Sequence, residues 1–313
     1  MSNLETEPEE LVCPPSGARG IEILEPRDVP LGGPRAMGVR RTLPQKARSL
    51  IGAWCFVDHY GPERTAMDVP PHPHTGLQTV SWLFSGEIEH RDGVGSHAVI
   101  VPGGLNLMTA GRGIAHSEVS LPGTPAPLLH GAQLWVALPD ADRHTDPFFE
   151  SYTPAAITVG DATLRVFLGS LAGSTSSARV FTELLGAQVD LPAGASVDLD
   201  VDERFEFGVL LDTGEVSVDG VGVPVSHLAY VPPGSSRLTL TAGATDARLL
   251  LIGGVPLGEQ IVMWWNFIGR THEEIAEYRE DWESGRRFAP VTGYDGDALP
   301  APVLPPIRLK PRG

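Results

Sequence analysis

Apolar and polar positions alternate along most of this chain in short runs, not at the three- or four-residue spacing of helices. Runs at 21–24, 37–43, 51–59, 78–84, 87–90, 97–101, 105–109 and 134–138 are bounded by turn residues. Their β-branched and aromatic content predicts strands. The stretch from about 140 to 178 is richer in Pro, Asp, Gly, Ser and Thr, with one strand expected at 163–168. A second strand series is expected at 180–184, 187–191, 196–201, 205–211, 215–218, 227–231, 237–241 and 248–252. Pro102-Gly-Gly104 and Pro232-Pro-Gly234 hold similar places in the two series, which suggests two copies of one β-fold. The one good helical signal is Thr271-His-Glu-Glu274, which has the form of a capping box. A helix is expected from there to about 283, with Gly285 to stop it. The expected fold class is all-β with a short C-terminal helix. The expected bounds are a flexible leader at 1–19, an N-terminal unit at 20–140, a connecting region at 141–178, and a C-terminal unit at 179–313 that includes the helix and an extended tail.

A length of 313 residues suits two medium domains or one large one, and 42% apolar with 20% charged residues allows a real core. With 23 Lys and Arg against 39 Asp and Glu, the formal net charge is −16. Nucleic-acid affinity rests on cations that neutralise phosphates, so no nucleic acid is expected as a partner, nor an anionic membrane surface. The two cysteines, Cys13 and Cys55, lie in dissimilar surroundings, and no CxxC pair is present to hold a metal. The first ten residues are acidic and lack the basic and apolar regions of a signal peptide. No run of 18 apolar residues exists to span a membrane. A cytoplasmic location is the expectation.

Chemistry enters with the histidines, of which eight of ten precede residue 145. His72-Pro-His74 places two imidazoles at i and i+2, and His116-Ser-Glu118 places an imidazole and a carboxylate at the same spacing. In a strand such residues share a face, ~6.6–7 Å apart. Imidazoles can bend from that spacing onto one ion at about 2.1 Å. A helix would scatter them, so the reading requires two strands that aim His72, His74, His116 and Glu118 at one transition-metal ion. Pro70, Pro71 and Pro73 stiffen the first segment, and Gly111 and Gly113 permit a turn before the second. His90, in Glu87-Ile-Glu-His-Arg-Asp92, reads as part of a solvated hairpin, and His97 as a loop residue. His59 and His130 read as partners that orient a ligand ring or as satisfied structural histidines. His144, His227 and His272 have no matching partner.

The strings Pro-Pro-His-Pro-His-Thr-Gly-Leu-Gln-Thr-Val (70–80), Gly-Glu-Ile-Glu-His-Arg-Asp (86–92) and Met-Thr-Ala-Gly-Arg-Gly-Ile-Ala-His-Ser-Glu (108–118) resemble the pirin family of the cupin superfamily. Gln133-Leu-Trp-Val136 is similar to the family's next strand, and Trp264-Trp-Asn-Phe267 lies in a later stretch that matches in layout. The resemblance implies a bicupin, two cupin-type β-barrels, the first holding one mononuclear metal. It implies Fe(II), with other divalent metals open, and maps the family's ligands onto His72, His74, His116 and Glu118. The chain departs from the common pattern at Thr75, where Arg is frequent, and at Leu77-Gln78, where Phe-Glu is frequent. Gln78 cannot act as the ligand that a glutamate near this place supplies in many cupins.

Two functions follow from the resemblance. The first is a flavonol (quercetin) 2,3-dioxygenase-type oxidoreductase acting on a metal-bound substrate and O2. Glu118 is its expected catalytic residue, moving the hydroxyl proton. Its pocket would be lined by residues such as Trp54, Phe56, Trp82 and Met108, which by themselves read as core. The second is a non-enzymatic metal or redox sensor that binds a protein partner, as a transcription cofactor or a modulator of a metabolic enzyme. The reading leans toward the enzyme.

Overall fold

In the strand Leu77–Ser85, Ser81 points into a barrel while Val80 and Trp82 point out of it, the period-two alternation of any strand. The computed structural model repeats this device along the residues it describes, 20–31, 37–121 and 126–313. The expected leader at 1–19 and Cys13 lie outside the described residues.

Two barrels result, each made of one seven-stranded and one four-stranded antiparallel sheet. In the first barrel the large sheet runs Phe148–Tyr152, Leu105–Thr109, Leu77–Ser85, Leu128–Ala137, Trp54–Arg64, Met37–Leu43, Arg27–Leu31. Its small sheet runs Asp68–His74, Ile114–Ser120, Ile88–Asp92, His97–Ile100. In the second barrel the large sheet runs Glu22–Leu24, Leu228–Val231, Glu206–Thr213, Ala247–Gly254, Leu184–Leu191, Ala162–Leu168, Ala156–Val159. Its small sheet runs Ser196–Asp200, Arg237–Ala242, Val216–Val218, Val221–Val223. The chain does not finish one barrel before it enters the other. Glu22–Leu24 closes on the second barrel, and the stretch 141–178 supplies strands to both. The expected break between strands at 180–184 and 187–191 is absent, and Leu184–Leu191 is one strand. Gly186 sits inside this strand, where the Phe167 ring covers it. A Cβ there would lie 2.3 Å from Phe167 Cε2.

The large sheets pack face to face. Trp54, Val80, Trp82 and Leu134 of the first meet Phe167, Leu210, Leu250 and Ile252 of the second in one buried cluster. Each tryptophan keeps a partner for its indole N–H, as buried indoles do. Trp54 Nε1 donates to the carbonyls of Leu185 (3.2 Å) and Gly253 (3.1 Å), and Trp82 Nε1 donates to Gln188 Oε1 (2.8 Å). Beside this apolar contact lies a polar one. Asp212 of the second barrel receives His59 Nε2 at 2.7 Å and His130 Nε2 at 2.5 Å from the first, and Arg248 Nε at 2.6 Å. Burial alone would raise the Asp212 pKa, but the hydrogen bonds from His130 and His59 outweigh it and hold the carboxyl well below its usual range.

The helix His272–Glu283 is capped by Thr271, whose hydroxyl accepts from the Glu274 N–H. It ends as expected at Gly285, where φ is +67° and the Arg286 N–H reaches back to the Asp281 carbonyl. The helix packs on the hairpin of Val262–Trp264 and Phe267–Gly269, and that hairpin docks on the first barrel through a bridge between Thr75 and Phe267. Among the described residues no helix is long and apolar enough to cross a membrane.

Removing the shared acceptor between the barrels would strand two buried histidine donors and the half-buried Arg248 guanidinium. Asp212→Ala is expected to destabilise the protein by about 3–5 kcal/mol in chemical denaturation. Glu183→Ala, which breaks only an exposed ion pair with Arg204, is expected to cost less than about 1 kcal/mol.

Candidate metal centre

His72 and His74 lie on Asp68–His74, and His116 and Glu118 lie on Ile114–Ser120. The two strands are antiparallel neighbours, with His116 paired to His72 and Ile114 to His74. Asp68–His74 carries Pro70, Pro71 and Pro73 and forms the edge of its sheet, where a missing N–H costs least. Between the pairs His116–His72 and Glu118–Val69 it holds one residue more than its partner, a β-bulge at the prolines. The result brings the three rings together. Their centroids are 5.1 Å (His72–His74), 4.4 Å (His72–His116) and 5.0 Å (His74–His116) apart.

Each ring is held from behind by its Nδ1. His72 Nδ1 donates to the Pro70 carbonyl at 2.8 Å, and His74 Nδ1 donates to the Asn266 carbonyl at 3.1 Å. A ring that donates through Nδ1 presents a lone pair at Nε2. One ring nitrogen of each histidine lies within 4.8 Å of the others, and His74 Nε2 is 3.1 Å from His116 Nε2. His72 Nε2 is buried and has no hydrogen-bond partner. Burial pushes the His72 pKa down to about 3. Burial, with the neighbouring ring of His72, puts His74 and His116 well below the ordinary value. All three are therefore neutral near pH 7, the form that binds a metal. Two nitrogens held about 2.1 Å from one ion at right angles stand ~3 Å apart, so the spacing of His74 and His116 suits a shared ion.

Glu118 is buried and accepts from Ser81 Oγ at 3.0 Å. Its carboxylate falls outside the 4.8 Å grouping of the three rings. Ser81 Oγ also lies 2.8 Å from the Gln133 side-chain oxygen, yet a hydroxyl has one proton to give. Turning the Gln133 amide lets its nitrogen, otherwise unpartnered, donate to Ser81 while Ser81 donates to Glu118. Gln78 is turned away from any such role: its amide nitrogen donates to Thr109 Oγ1 and to the Arg179 carbonyl.

Of the expected pocket residues, Trp54 and Trp82 face the second barrel. Phe56 and Met108 lie one layer behind the site, Phe56 stacked on Trp135 at 4.0 Å. Trp135 is the aromatic that meets one of the three grouped rings, edge-on to His74 at 5.1 Å. Sequence reasoning placed it only as part of a strand. It also missed Asn266, whose carbonyl arrives from the far end of the chain. His90 is not in a solvated hairpin. It is buried, its Nε2 is 3.1 Å from Asp92 Oδ2, and its Nδ1 is 3.4 Å from His116 Nδ1. The alternation in Ile88–Asp92 explains this, since Ile88, His90 and Asp92 face inward while Glu89 and Arg91 do not.

Residues 36–136 match the pirin family model, and residues 186–289 match that of the pirin C-terminal cupin domain. A Pseudomonas aeruginosa protein provisionally named a quercetin 2,3-dioxygenase is 40% identical over 300 residues, covering 94% of this chain and 93% of its own. The chain belongs to the pirin family. A pirin-like protein of Caulobacter vibrioides is 35% identical over 276 residues, covering 84% of this chain and 94% of its own. The crystal structure of a quercetin 2,3-dioxygenase from Acinetobacter baumannii superposes with a TM-score of 0.86 at 35% identity, covering 92% of this chain and 97% of that one. The two barrels are thus cupin-type, as the resemblance implied.

This pirin gathers a second group of potential donors, His59, His130 and Asp212. That group already has its charge and protons balanced. The Arg248 guanidinium neutralises Asp212, and its other arm faces His130 Nδ1 at 3.5 Å, which leaves the His130 proton on Nε2, toward Asp212. The three-histidine group has no such compensation. Metal content is expected to be one ion per chain by elemental analysis. His74→Ala and His116→Ala should lose it while staying folded, and His130→Gln should keep it.

The neutral buried imidazoles also set a pH dependence. Below about 6.5 the unfolded chain takes up a proton at each of these histidines that the folded chain refuses. Stability is then complete above the ordinary histidine value and is lost as pH falls toward about 3. Metal-stripped protein should lose ~1.4 kcal/mol per pH unit per histidine in that window. His72→Phe should show a shallower slope by one proton in the same denaturation series.

Proposed function

We propose that this pirin is a mononuclear metal oxidoreductase of the quercetin 2,3-dioxygenase type, acting on a flavonol-like aromatic substrate with O2. The observation that carries the reading is the convergence of three neutral, back-tethered imidazoles on one buried point, with a buried carboxylate two residues beyond the last. His72, His74 and His116 would hold the ion, with Glu118 as the fourth ligand. Nitrogen and oxygen donors of this kind suit Fe(II) among other divalent metals, and iron is the proposed occupant. When bound, such an ion supplies Lewis acidity toward a substrate oxygen and redox reach toward O2. The names of the Pseudomonas and Acinetobacter relatives support the substrate class. A cytoplasmic setting is part of the proposal.

The chain's own contributions are local. The Pro70 and Asn266 carbonyls fix two imidazole planes, so the donor atoms need no reorganisation when they are engaged. Trp135, stacked on Phe56, walls one side of His74 and keeps water from it. Glu118 accepts the flavonol hydroxyl proton, and Ser81, backed by Gln133, holds the accepting carboxylate in place.

Glu118→Gln should lower flavonol-dependent oxygen uptake by about 10²-fold or more, because the amide keeps a neutral oxygen but cannot take the proton. Metal content, measured on the same preparation, should fall by less. Fully metallated wild type that takes up no oxygen with quercetin, across Fe, Mn, Co, Ni and Cu, would remove the enzymatic reading and leave the metal-sensing regulator with a protein partner.

A further inference from the structure

The inward-facing His90 and Asp92 have no part in the chemistry above, yet they stand directly behind a ligand ring. We propose that Asp92 and His90 form a relay that fixes the plane and the tautomer of His116, and so act as positioning residues for the metal. The proposal rests on the reading of His72, His74 and His116 as ligands.

The relay is anchored at its far end. Asp92 Oδ1 accepts the backbone N–H groups of Val94 (3.1 Å) and Ser96 (2.8 Å), so a tight turn pins the carboxylate. The remaining oxygen, Oδ2, faces His90 Nε2 at 3.1 Å. A carboxylate only accepts, so the His90 proton sits on Nε2 and its Nδ1 carries a lone pair. That lone pair faces His116 Nδ1 at 3.4 Å, the long end of a hydrogen bond, and makes it the donor. His116 is thereby left with its own lone pair on Nε2, on the side of His74 and His72. The His90 ring cannot swing, because Phe149 stacks on it at 4.3 Å and 15°. The strands enforce the same alignment: His116 is paired to Asp92 and Glu118 to His90 across one ladder.

The three ligand rings then differ in one respect. His72 and His74 are tethered by backbone carbonyls, whose direction the fold sets. His116 is tethered by a side chain that has two tautomers, and only the one selected by Asp92 accepts a proton from it. Partners of this kind orient a ligating imidazole and raise its basicity.

The test uses the full chain, stripped of metal and titrated with Co(II) alone, reading both affinity and the d–d absorption band. In Asp92→Asn the amide oxygen stays with the Val94 and Ser96 N–H groups, so its NH2 meets the His90 Nε2–H. His90 must switch tautomer, which places a donor against His116 Nδ1–H. His90→Phe keeps the stack on Phe149 and removes the acceptor. Both should bind Co(II) about 10–100-fold more weakly and shift the band. His90→Gln, whose amide oxygen can accept in place of Nδ1, should recover part of the loss. Wild-type affinity and an unchanged band in both variants, with binding lost in His116→Ala, would refute the relay and leave the ligand set standing. A wild type that binds no Co(II) would refute the ligand set and the relay with it. Should Asp92→Asn lose its turn and unfold, His90→Phe decides alone, since it leaves Asp92 and the turn in place.

Discussion

Buried imidazoles that turn their lone pairs toward one point repel one another, and the strands that carry them must hold them there. That constraint governs the first barrel. Around the grouped rings of His72, His74 and His116, the interior is divided into two small apolar clusters, one about Met37, Tyr60 and Leu129 and one about Phe56, Leu77 and Trp135. The polar middle holds together because every ring is tied from behind and because hydrophobic packing at both ends carries the fold. The second barrel shows the alternative. Its interior is one continuous cluster of Val, Leu and Ala with Phe207, and it has no comparable point of tension.

The second barrel nevertheless matters to the first. Its large sheet buries Trp54 and Trp82, and its Asp212 gathers His59, His130 and Arg248. That network sets one directional polar contact beside two apolar faces that pack without direction. The hairpin that follows the second barrel then returns to the ligand strand. Trp265 at its tip has φ +52°, a conformation that a bulky residue rarely adopts, and the next residue, Asn266, presents its carbonyl to His74.

Much of this was legible from local spacing. The i, i+2 pairs at 72–74 and 116–118 announced two strands, each with its pair on one face, and the prolines at 70, 71 and 73 restricted the first to an edge or a strand start. The capping motif at Thr271 gave the helix. What escaped depends on partners distant in sequence. His90 looked solvated because Glu89 and Arg91 flank it, and charged neighbours say nothing about which face a strand turns inward. Trp54 and Trp82 read as core and were open as pocket residues too, because burial against a second barrel and burial around a cavity leave the same apolar signature. The break expected between 184 and 187 is absent, and a glycine under an aromatic ring and a glycine in a loop are identical in one dimension. The strand exchange of Glu22–Leu24 and of the 141–178 stretch has no local signal at all.

The bond between His74 and Asn266 joins residues 192 positions apart. At about 5–20 residues per second on a ribosome, Asn266 follows His74 by roughly 10–40 s. During that interval the ligand strand exists, but one of its imidazoles is free to rotate and to take either tautomer. A nascent chain therefore carries a half-built cluster of imidazoles, whose geometry is fixed only near the end of synthesis. The last sixth of the polypeptide acts in this sense as a closing seal on a cluster encoded in the first half.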